Sequence, residues 1–328
     1  LFGRNRVSKG LHWFSILMVA FGATLSGFWI IVANSWQQTP AGFVIRNGRA
    51  ELTSFYDAVF NPSTINRYLH TIDGALICGA FLVAGVSAWL ILKNKEAELA
   101  KRTFRIAIIF GFVASFLELM PLGHHHVIQV ARTQPAKFAA FEGIYESERG
   151  APLLLFAIPD SGPPPKLLLP IGVKGMVGRL AYGDPDALIT GLDQFPEDER
   201  PPLWLTFVSF HNMVVLGMFF IGITALGLFL MWRKKLFKYP LYLWAMVLSV
   251  PLPVAACQLG WVTAEVGRQP WIVYPVPGVF EGMRVADAIS PSVSAGEILA
   301  SLIMFGLVYS LLLVLYLFLM WKEVDHGP

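Results

Sequence analysis

The sequence predicts an all-α protein, a polytopic bundle of about six transmembrane helices with a long extracytoplasmic loop. Of its 328 residues, 55% are hydrophobic and only 14% are charged, whereas soluble domains average roughly 25% charged residues. Mean hydropathy is +0.58. Six apolar segments are each long enough to cross the ~30 Å hydrocarbon core of a bilayer, and they lie at 11–33, 69–92, 104–121, 204–232, 240–264 and 298–321. These observations exclude an ordinary soluble enzyme.

Lysine and arginine residues predict which helix ends face the cytoplasm. They cluster before the first apolar segment, between the second and third, and between the fourth and fifth. By the positive-inside rule these helix ends are cytoplasmic. The sequence therefore predicts a protein of the cytoplasmic (inner) membrane with both termini on the cytoplasmic side and the long loop on the outer side. The net charge of +3 is too balanced to indicate a nucleic-acid partner. The clustered residues are Arg4, Arg6, Lys9, Lys93, Lys95, Lys101, Arg102, Arg105, Arg233, Lys234, Lys235 and Lys238.

The predicted spans divide the chain into three regions. Residues 1–121 carry three transmembrane helices and the outer loop 34–61. Residues 122–203 form the long extracytoplasmic loop. Residues 204–328 carry three more transmembrane helices and the outer loop 265–296.

His70 and Met213 are candidate ligands of a haem iron. The chain has only two cysteines, Cys78 and Cys257, and both lie in apolar runs. A disulfide framework, a CxxC zinc site and a CxxCH haem attachment are therefore excluded, and a metal must be held by His, Met or carboxylates. Counted from the prolines that begin their helices, His70 lies about 12 Å and Met213 about 17 Å from the outer end. Imidazole and thioether are axial ligands of low-spin haem b. Packing alone is the usual role of a transmembrane Met, and His211 is an alternative ligand, although its two-residue offset turns it ~200° away from Met213.

Asp73 and Glu118 are functional candidates because an ionisable group inside an apolar helix is costly. Asp73 follows His70 by one turn and could hydrogen-bond a neighbouring group or take up a proton. Glu118 could do the same or could simply reach water. The three histidines at 124–126 open the long loop, and because consecutive loop residues cannot all point at one ion, a solvated run is expected there.

Lys137 and Glu142 lie in an amphipathic stretch of the long loop, 137–145. The loop also holds an apolar piece at 153–158 and a Pro-rich segment at 160–165, and connections this long are usually functional or disordered. A lysine and a glutamate near the outer surface could hydrogen-bond the oxygens of a quinol headgroup and accept its protons. They could equally be ordinary surface charges.

The segment 260–271, GWVTAEVGRQPW, closely resembles the GWxxxExGRQPW motif of cytochrome bd quinol oxidase subunit I. Residues 34–43, NSWQQTPAGF, resemble the family's NxWMQxPxGF with Gln37 in place of its Met. Within the first motif, Arg268 and Trp271 are expected to support a haem propionate or the quinol loop, because Arg forms fork-like pairs with carboxylates. Two further pieces resemble the family in the same order, 61–71 and 134–142.

The resemblance implies a role for each earlier candidate. It implies that His70 and Met213 are the axial ligands of the low-spin haem b nearest the quinol site. Lys137 and Glu142 match the family's quinol-site residues.

Three positions depart from the family's pattern. Gln258 stands where the family has a Glu that ligates a high-spin haem, Val254 where it has a Trp beside the haems, and His211 where it has an Arg near the low-spin haem. An amide is a far poorer iron ligand than a carboxylate. Aligned to the family, Leu1 falls at about the fourth helix, so a companion chain is expected to supply three helices and their haem-ligating His.

These observations favour an enzyme, a quinol oxidase of the bd type in the respiratory electron-transport chain, of which this chain is one subunit. It would bind at least one low-spin haem b and pass electrons from quinol toward an oxygen-reducing haem site. That site would be shared with companion chains, including a subunit II-like membrane subunit. The alternative is a bd-derived subunit that exchanges electrons between the quinone pool and a partner redox protein without reducing oxygen. A haem-free scaffold is disfavoured because His70 and Met213 are both present.

Overall fold

The computed structural model describes residues 6–95, 97–160, 162 and 166–326. Of the sequence features above, Leu1, Arg4 and most of the Pro-rich segment (residues 161 and 163–165) lie outside the described residues. Within the described ranges, six helical segments are long and apolar enough to span a membrane. The predicted fold class, a polytopic transmembrane helix bundle, is confirmed.

The long helices extend beyond the apolar runs that predicted them, because helical structure continues into the polar residues at their ends. Four of them, α1, α3, α8 and α11, each form one span, whereas the third and fifth spans are composite. In chain order the helices are α1 (Lys9–Gln38), α2 (Phe55–Val59), α3 (Thr64–Leu92), α4 (Ala97–Leu117), α5 (His124–Thr133), α6 (Pro135–Glu142), α7 (Met176–Tyr182), α8 (Leu203–Trp232), α9 (Pro240–Leu248), α10 (Leu252–Val266) and α11 (Ala295–His326).

The third span continues past the point where the sequence predicts its end. Pro121 predicts a terminus, but a π-helical turn, Glu118–Gly123, contains this proline and joins α4 to α5. A π turn has wider i→i+5 hydrogen bonding and is a common way to insert a residue into a helix. The histidines at 124–126 therefore lie in a helix rather than in a loop, and the outer segment begins at Gln134.

The fifth span is interrupted in its middle. α9 ends at Leu248 and α10 begins at Leu252, with turn residues between them. Pro251 and Pro253 have no backbone N–H to donate, so the α-helical hydrogen-bond ladder cannot run through this point. The single predicted helix is therefore two helices in sequence.

Short antiparallel strand pairs lie at one end of the bundle, in the three segments predicted to be outside. The pairs are β1 (Phe43–Arg46) with β2 (Arg49–Leu52), β3 (Glu148–Arg149) with β6 (Leu188–Ile189), β4 (Leu153–Asp160) with β5 (Lys166–Val173), and β7 (Trp271–Val273) with β8 (Met283–Arg284). The segments contact one another: the N–H of Tyr274 donates to the carbonyl of Gln37 at 2.9 Å, and Arg284 pairs with Asp198 at 2.6 Å. They form one layer over the same end of the bundle.

Two hydrophobic clusters hold the helices together. The membrane cluster packs α3, α4, α8, α9 and α10, and Phe81 meets Phe220 in it with ring centroids 4.9 Å apart. The outer cluster packs α5, α6 and α7 against the start of α8, around Phe141 and Phe207. Most of α1 and most of α11 present exposed apolar side chains.

Candidate functional site

His70 and Met213 lie at the same level of the bundle. Sδ of Met213, on α8, would be 3.0 Å from a β-carbon at Gly260 of α10. One turn further in, Sγ of Cys257 would be 3.3 Å from a β-carbon at Gly74 of α3. His70 is one turn outward from Gly74, just as Gly260 is one turn outward from Cys257. The structure therefore brings both predicted ligands to one level around α10.

Asn61 is not the N-cap that the sequence predicts for α3. The helix begins at Thr64 with Ser63 in the N-cap position. Asn61 instead accepts through Oδ1 from the N–H of Ser63 at 3.2 Å and from the hydroxyl of Thr39 at 3.1 Å. It thereby joins the end of α1 to the start of α3, and His70 lies about 9 Å into its helix.

Two polar side chains lie beside the His70 ring. Oε1 of Glu118 is 3.1 Å from Nδ1 of His70, with the two side chains 19% and 22% exposed. The ring of His126 packs edge-on against that of His70 with centroids 5.3 Å apart. The expectation of a solvated histidine run is therefore wrong for His126, although His125 is exposed. Asp73, one turn along α3, is buried.

His211 does not face the same way as Met213, which agrees with the two-residue offset between them. Its ring stacks on Phe207 with centroids 3.9 Å apart, and its Nδ1 lies 3.1 Å from the carbonyl oxygen of Phe207. A carbonyl can only accept, so Nδ1–H donates here. The geometry favours Met213 over His211 as the partner of His70.

Helix α6 is not the amphipathic surface stretch that the sequence predicts. All of its residues from Ala136 to Glu142 are buried, and Lys137 and Glu142 are only 3% and 4% exposed. Charged side chains are almost never fully buried unless they are paired. The interpretation of these two residues as ordinary surface charges is therefore wrong, because they lie inside the outer cluster.

Lys137 is held by Gln38 at the end of α1. Its Nζ donates to Oε1 of Gln38 at 2.6 Å, and Nε2 of Gln134 donates to the same oxygen at 3.0 Å. Burial, together with the positive charges of Arg67 and Arg268, lowers the pKa of Lys137 well below its ordinary value. The amine is fixed in position and gives up a proton more readily than a surface lysine does.

Glu142 has no comparable partner. Its Oε2 is buried and accepts no hydrogen bond from any described residue. Burial raises the pKa of this carboxyl to about 8, because removing the charged form from water is unfavourable. In the described part of the chain no hydrogen bond or ion pair joins Glu142 to Lys137.

A partly buried polar network closes the outer end of the bundle between α1, α3 and α10. Arg268 donates to Oε2 of Glu265 at 2.5 Å and to Oε1 of Gln37 at 3.1 Å. Glu265 also accepts from Asn34 at 2.9 Å, and Asn34 accepts from Arg67. Arg268 thus already uses much of its guanidinium within the protein.

Trp271 lies in the same segment and is 7% exposed. The guanidinium carbon of Arg284 is 5.0 Å from the centroid of its ring, a cation–π distance. Arg284 also pairs with Glu199 at 2.7 Å. These contacts tie the segment to the start of α8. The roles of Arg268 and Trp271 toward a propionate or a quinol stay predictions.

Sequence reasoning missed three polar residues of the site: Gln38, Asn34 and Arg67. A signal for each was present. Arg67 precedes His70 by one turn, on the same face of an apolar helix, and both Asn34 and Gln38 lie in the piece 34–43 that resembles a family motif.

The side chains around His70 and Met213 fit an axially ligated haem rather than a bare ion. Among the described residues, no group of three or more His, Cys, Asp or Glu side chains could hold a metal ion. An imidazole and a thioether at one level of a helix bundle are instead donors that a haem iron accepts. Nδ1 of His70 is buried, and its one recorded polar contact, Oε1 of Glu118 at 3.1 Å, is not aligned as a hydrogen bond.

Fold and site together define a class: a polytopic membrane protein with an imidazole and a thioether at one level of its bundle and buried ionisable groups at one end, features that membrane redox enzymes share. The family model described as cytochrome bd terminal oxidase subunit I matches residues 1–328. The chain belongs to this family, and the resemblance read from its motifs is confirmed. It is therefore a subunit of a membrane-bound, haem-containing oxidase.

Individual relatives agree with this assignment. The chain is 37% identical over 337 residues to cytochrome bd ubiquinol oxidase subunit 1 of Bacillus subtilis (strain 168), covering 100% of this chain and 70% of the relative. It is 27% identical over 395 residues to cytochrome bd-II ubiquinol oxidase subunit 1 of Escherichia coli (strain K12), covering 100% and 75%. Its fold matches a chain of the bd oxidase from Geobacillus thermodenitrificans with a TM-score of 0.88 at 27% identity, covering 100% of this chain and 73% of that one.

The role of Gln38 as the acceptor for Lys137 can be tested by a double-mutant cycle. Gln38→Leu leaves Nζ of Lys137 unpaired, whereas Nε2 of Gln134 keeps its bond to the backbone carbonyl of residue 38. The substitution is expected to destabilise the protein by about 1–3 kcal/mol, and Gln38→Leu with Lys137→Met should recover part of that loss. Thermal unfolding in detergent micelles measures both. Gln194→Leu, at an exposed glutamine, is the matched control. Strictly additive effects would contradict the pairing.

Proposed function

We propose that this chain is the quinol-oxidising, haem b-binding subunit of a bd-type oxidase, passing electrons toward an oxygen-reducing haem site shared with companion chains. The observation that carries the proposal is the burial of Lys137 and of an unpaired Glu142 on α6, a helix that packs on α8, which also carries Met213. Buried ionisable groups with perturbed pKa values are typical of catalytic sites.

His70 and Met213 would hold the iron of a haem b, which would supply a one-electron acceptor at this site. The protein brings the two ligands to one level by packing both of their helices on α10. Gly74 allows α3 to approach α10 closely, and Gly260 allows α8 to do so. Arg268 and Trp271 would support the outer edge of this site.

Glu142 and Lys137 would both contact the quinol headgroup, Glu142 as a proton acceptor and Lys137 as a hydrogen-bond donor. An ionised Glu142 accepts a proton from a quinol hydroxyl through its free Oε2, while Lys137, fixed by Gln38, donates a hydrogen bond to a quinol oxygen. Because both side chains are buried, quinol reaches them only if the packing around α6 opens. The names of two relatives specify ubiquinol, and we extend only the class, a quinol, to this chain.

The basic helix ends would face the cytoplasm and the layer that contains α6 would face outward, so that protons from quinol leave on the outer side. At the basic end, Arg105 lies over the ring of Phe237 at 5.2 Å and Lys95 pairs with Asp325 at 3.0 Å. The relatives are numbered as subunits. A subunit II-like membrane chain, and a chain that supplies further helices, are the partners we propose.

The haem assignment predicts a spectroscopic loss. His70→Ala should remove a low-spin b signal from the reduced-minus-oxidised spectrum of the isolated complex, because the iron loses its imidazole. Pyridine haemochrome quantitation should show at least one haem b fewer per complex. His12→Ala, at a partly exposed histidine near the start of α1, should keep the full complement. A wild-type complex with no b haem would refute the proposal.

The quinol assignment predicts a pH dependence. A carboxyl with a pKa of about 8 is mostly protonated at pH 7 and cannot accept a proton, so kcat/KM for quinol should rise with pH and level off above pH 8. Glu142→Gln should remove this rise and lower kcat/KM by roughly 100-fold, and Lys137→Ala should also slow the reaction, while the b haem is kept. Glu146→Gln, at an exposed glutamate nearby, is the control. A rise that persists in Glu142→Gln would assign the base elsewhere.

The second candidate is a bd-derived electron-transfer subunit that exchanges electrons between the quinone pool and a partner redox protein. Gln258 favours it, because an amide stands where the resemblance implies a carboxylate ligand of a high-spin haem. Oxygen consumption by the complex with quinol as donor separates the candidates. The first predicts oxygen uptake that stops when a companion chain is removed, and the second predicts quinol oxidation only with an added electron acceptor.

A further inference from the structure

The π-helical turn Glu118–Gly123 lies directly beside His70. A β-carbon at Gly123 would be 3.7 Å from Cε1 of His70, and one at Gly74 would be 3.5 Å from Oε1 of Glu118. The turn therefore contacts α3 at two points, with the carboxyl group of Glu118 between the helices. π turns are rare and are frequent at functional sites.

We propose that Glu118 is a positioning residue for the haem ligand: its carboxylate accepts the Nδ1–H hydrogen bond of His70 and so directs Nε2 toward the iron. The inference rests on the proposed function, in which His70 ligates a haem. It assigns a role to Glu118, for which the sequence alone predicted either proton handling or contact with water.

Three observations support this role. Oε1 of Glu118 is already 3.1 Å from Nδ1 of His70. Its second oxygen, Oε2, is buried and accepts no well-aligned hydrogen bond among the described residues; the carboxyl of Asp73, one turn along α3 from His70, is a further polar neighbour of Glu118. Finally, a carboxylate inside a membrane helix is costly unless it has a partner, and the nearby imidazole N–H supplies one.

The chemistry of metal-bound histidine explains why such a group is useful. A ligating imidazole usually donates its other N–H to a carboxylate or carbonyl, which fixes the tautomer and makes the ligand more basic. A more basic ligand stabilises ferric over ferrous iron, and this lowers the reduction potential of the haem. Glu118 would thus set both the orientation of His70 and the potential of the haem that it holds.

The test is a redox titration of the low-spin haem in the assembled complex. Glu118→Gln keeps the size and an acceptor oxygen but removes the charge, so the potential should shift upward at unchanged haem content. Glu118→Ala should shift it further, and Glu118→Asp should restore part of the wild-type value. His126→Phe keeps a ring against His70 without its nitrogens and should leave the potential unchanged.

A wild-type potential in both Glu118→Gln and Glu118→Ala, at full haem content, would overturn the proposal, as would a shift in His126→Phe alone. Where Glu118→Gln fails to take up haem, Glu118→Asp decides: recovery of the haem supports the role of the carboxylate, and absence of the haem overturns it. Failure of the proposed function looks different, because the wild type would then lack the b haem or His70→Ala would keep it.

Discussion

A polar or charged side chain inside a membrane must find its partner within the protein, because hydrocarbon offers no hydrogen bonds. This constraint organises the outer end of the bundle. Arg67 on α3, Asn34 on α1 and Glu265 on α10 form one hydrogen-bonded chain that ends on Arg268. Leaving a single buried amide or hydroxyl unpaired costs roughly 2–7 kcal/mol. The three helices are therefore held in one register by their polar residues, while the apolar cluster further in supplies most of the packing.

Gln38 extends the same network to α6. Its side chain accepts from Lys137 and Gln134 and donates to the carbonyl of Ala264 at 3.3 Å, so one amide joins α1, α6 and α10. Glu142, at the other end of α6, has no such bond. The two charged residues of this short helix therefore differ: Lys137 is held by a hydrogen bond to the protein, and Glu142 is not. That asymmetry suits a site in which the amine is positioned in advance and the carboxyl bonds only to a substrate.

Much of the fold could be predicted because spans are a property of local composition. The six spans follow from the length of the apolar runs. The opposed directions of His211 and Met213 follow from helix periodicity. The continuation of the third span through Pro121 could not, since a proline normally ends a helix and only the surrounding helices make the π turn favourable. The burial of α6 could not be predicted either, because a short helix with two charged residues has the same sequence pattern on a surface and inside a polar network. The contact between Glu118 and His70 depends on the π turn.

The packing of α6 on α8 links the two parts of the proposed site. Phe141, the neighbour of Glu142, stacks on Phe210 with ring centroids 4.2 Å apart, and Phe210 precedes Met213 by one helical turn. Gly143 ends α6 with a left-handed conformation, and a β-carbon there would be 3.0 Å from the ring of Phe207. Because close-packed aromatic contacts transmit displacement, an opening of α6 that admits substrate to Glu142 must also act on the helix that carries Met213. Under the proposed function, substrate entry and the environment of the haem ligand are therefore mechanically coupled through three phenylalanine rings.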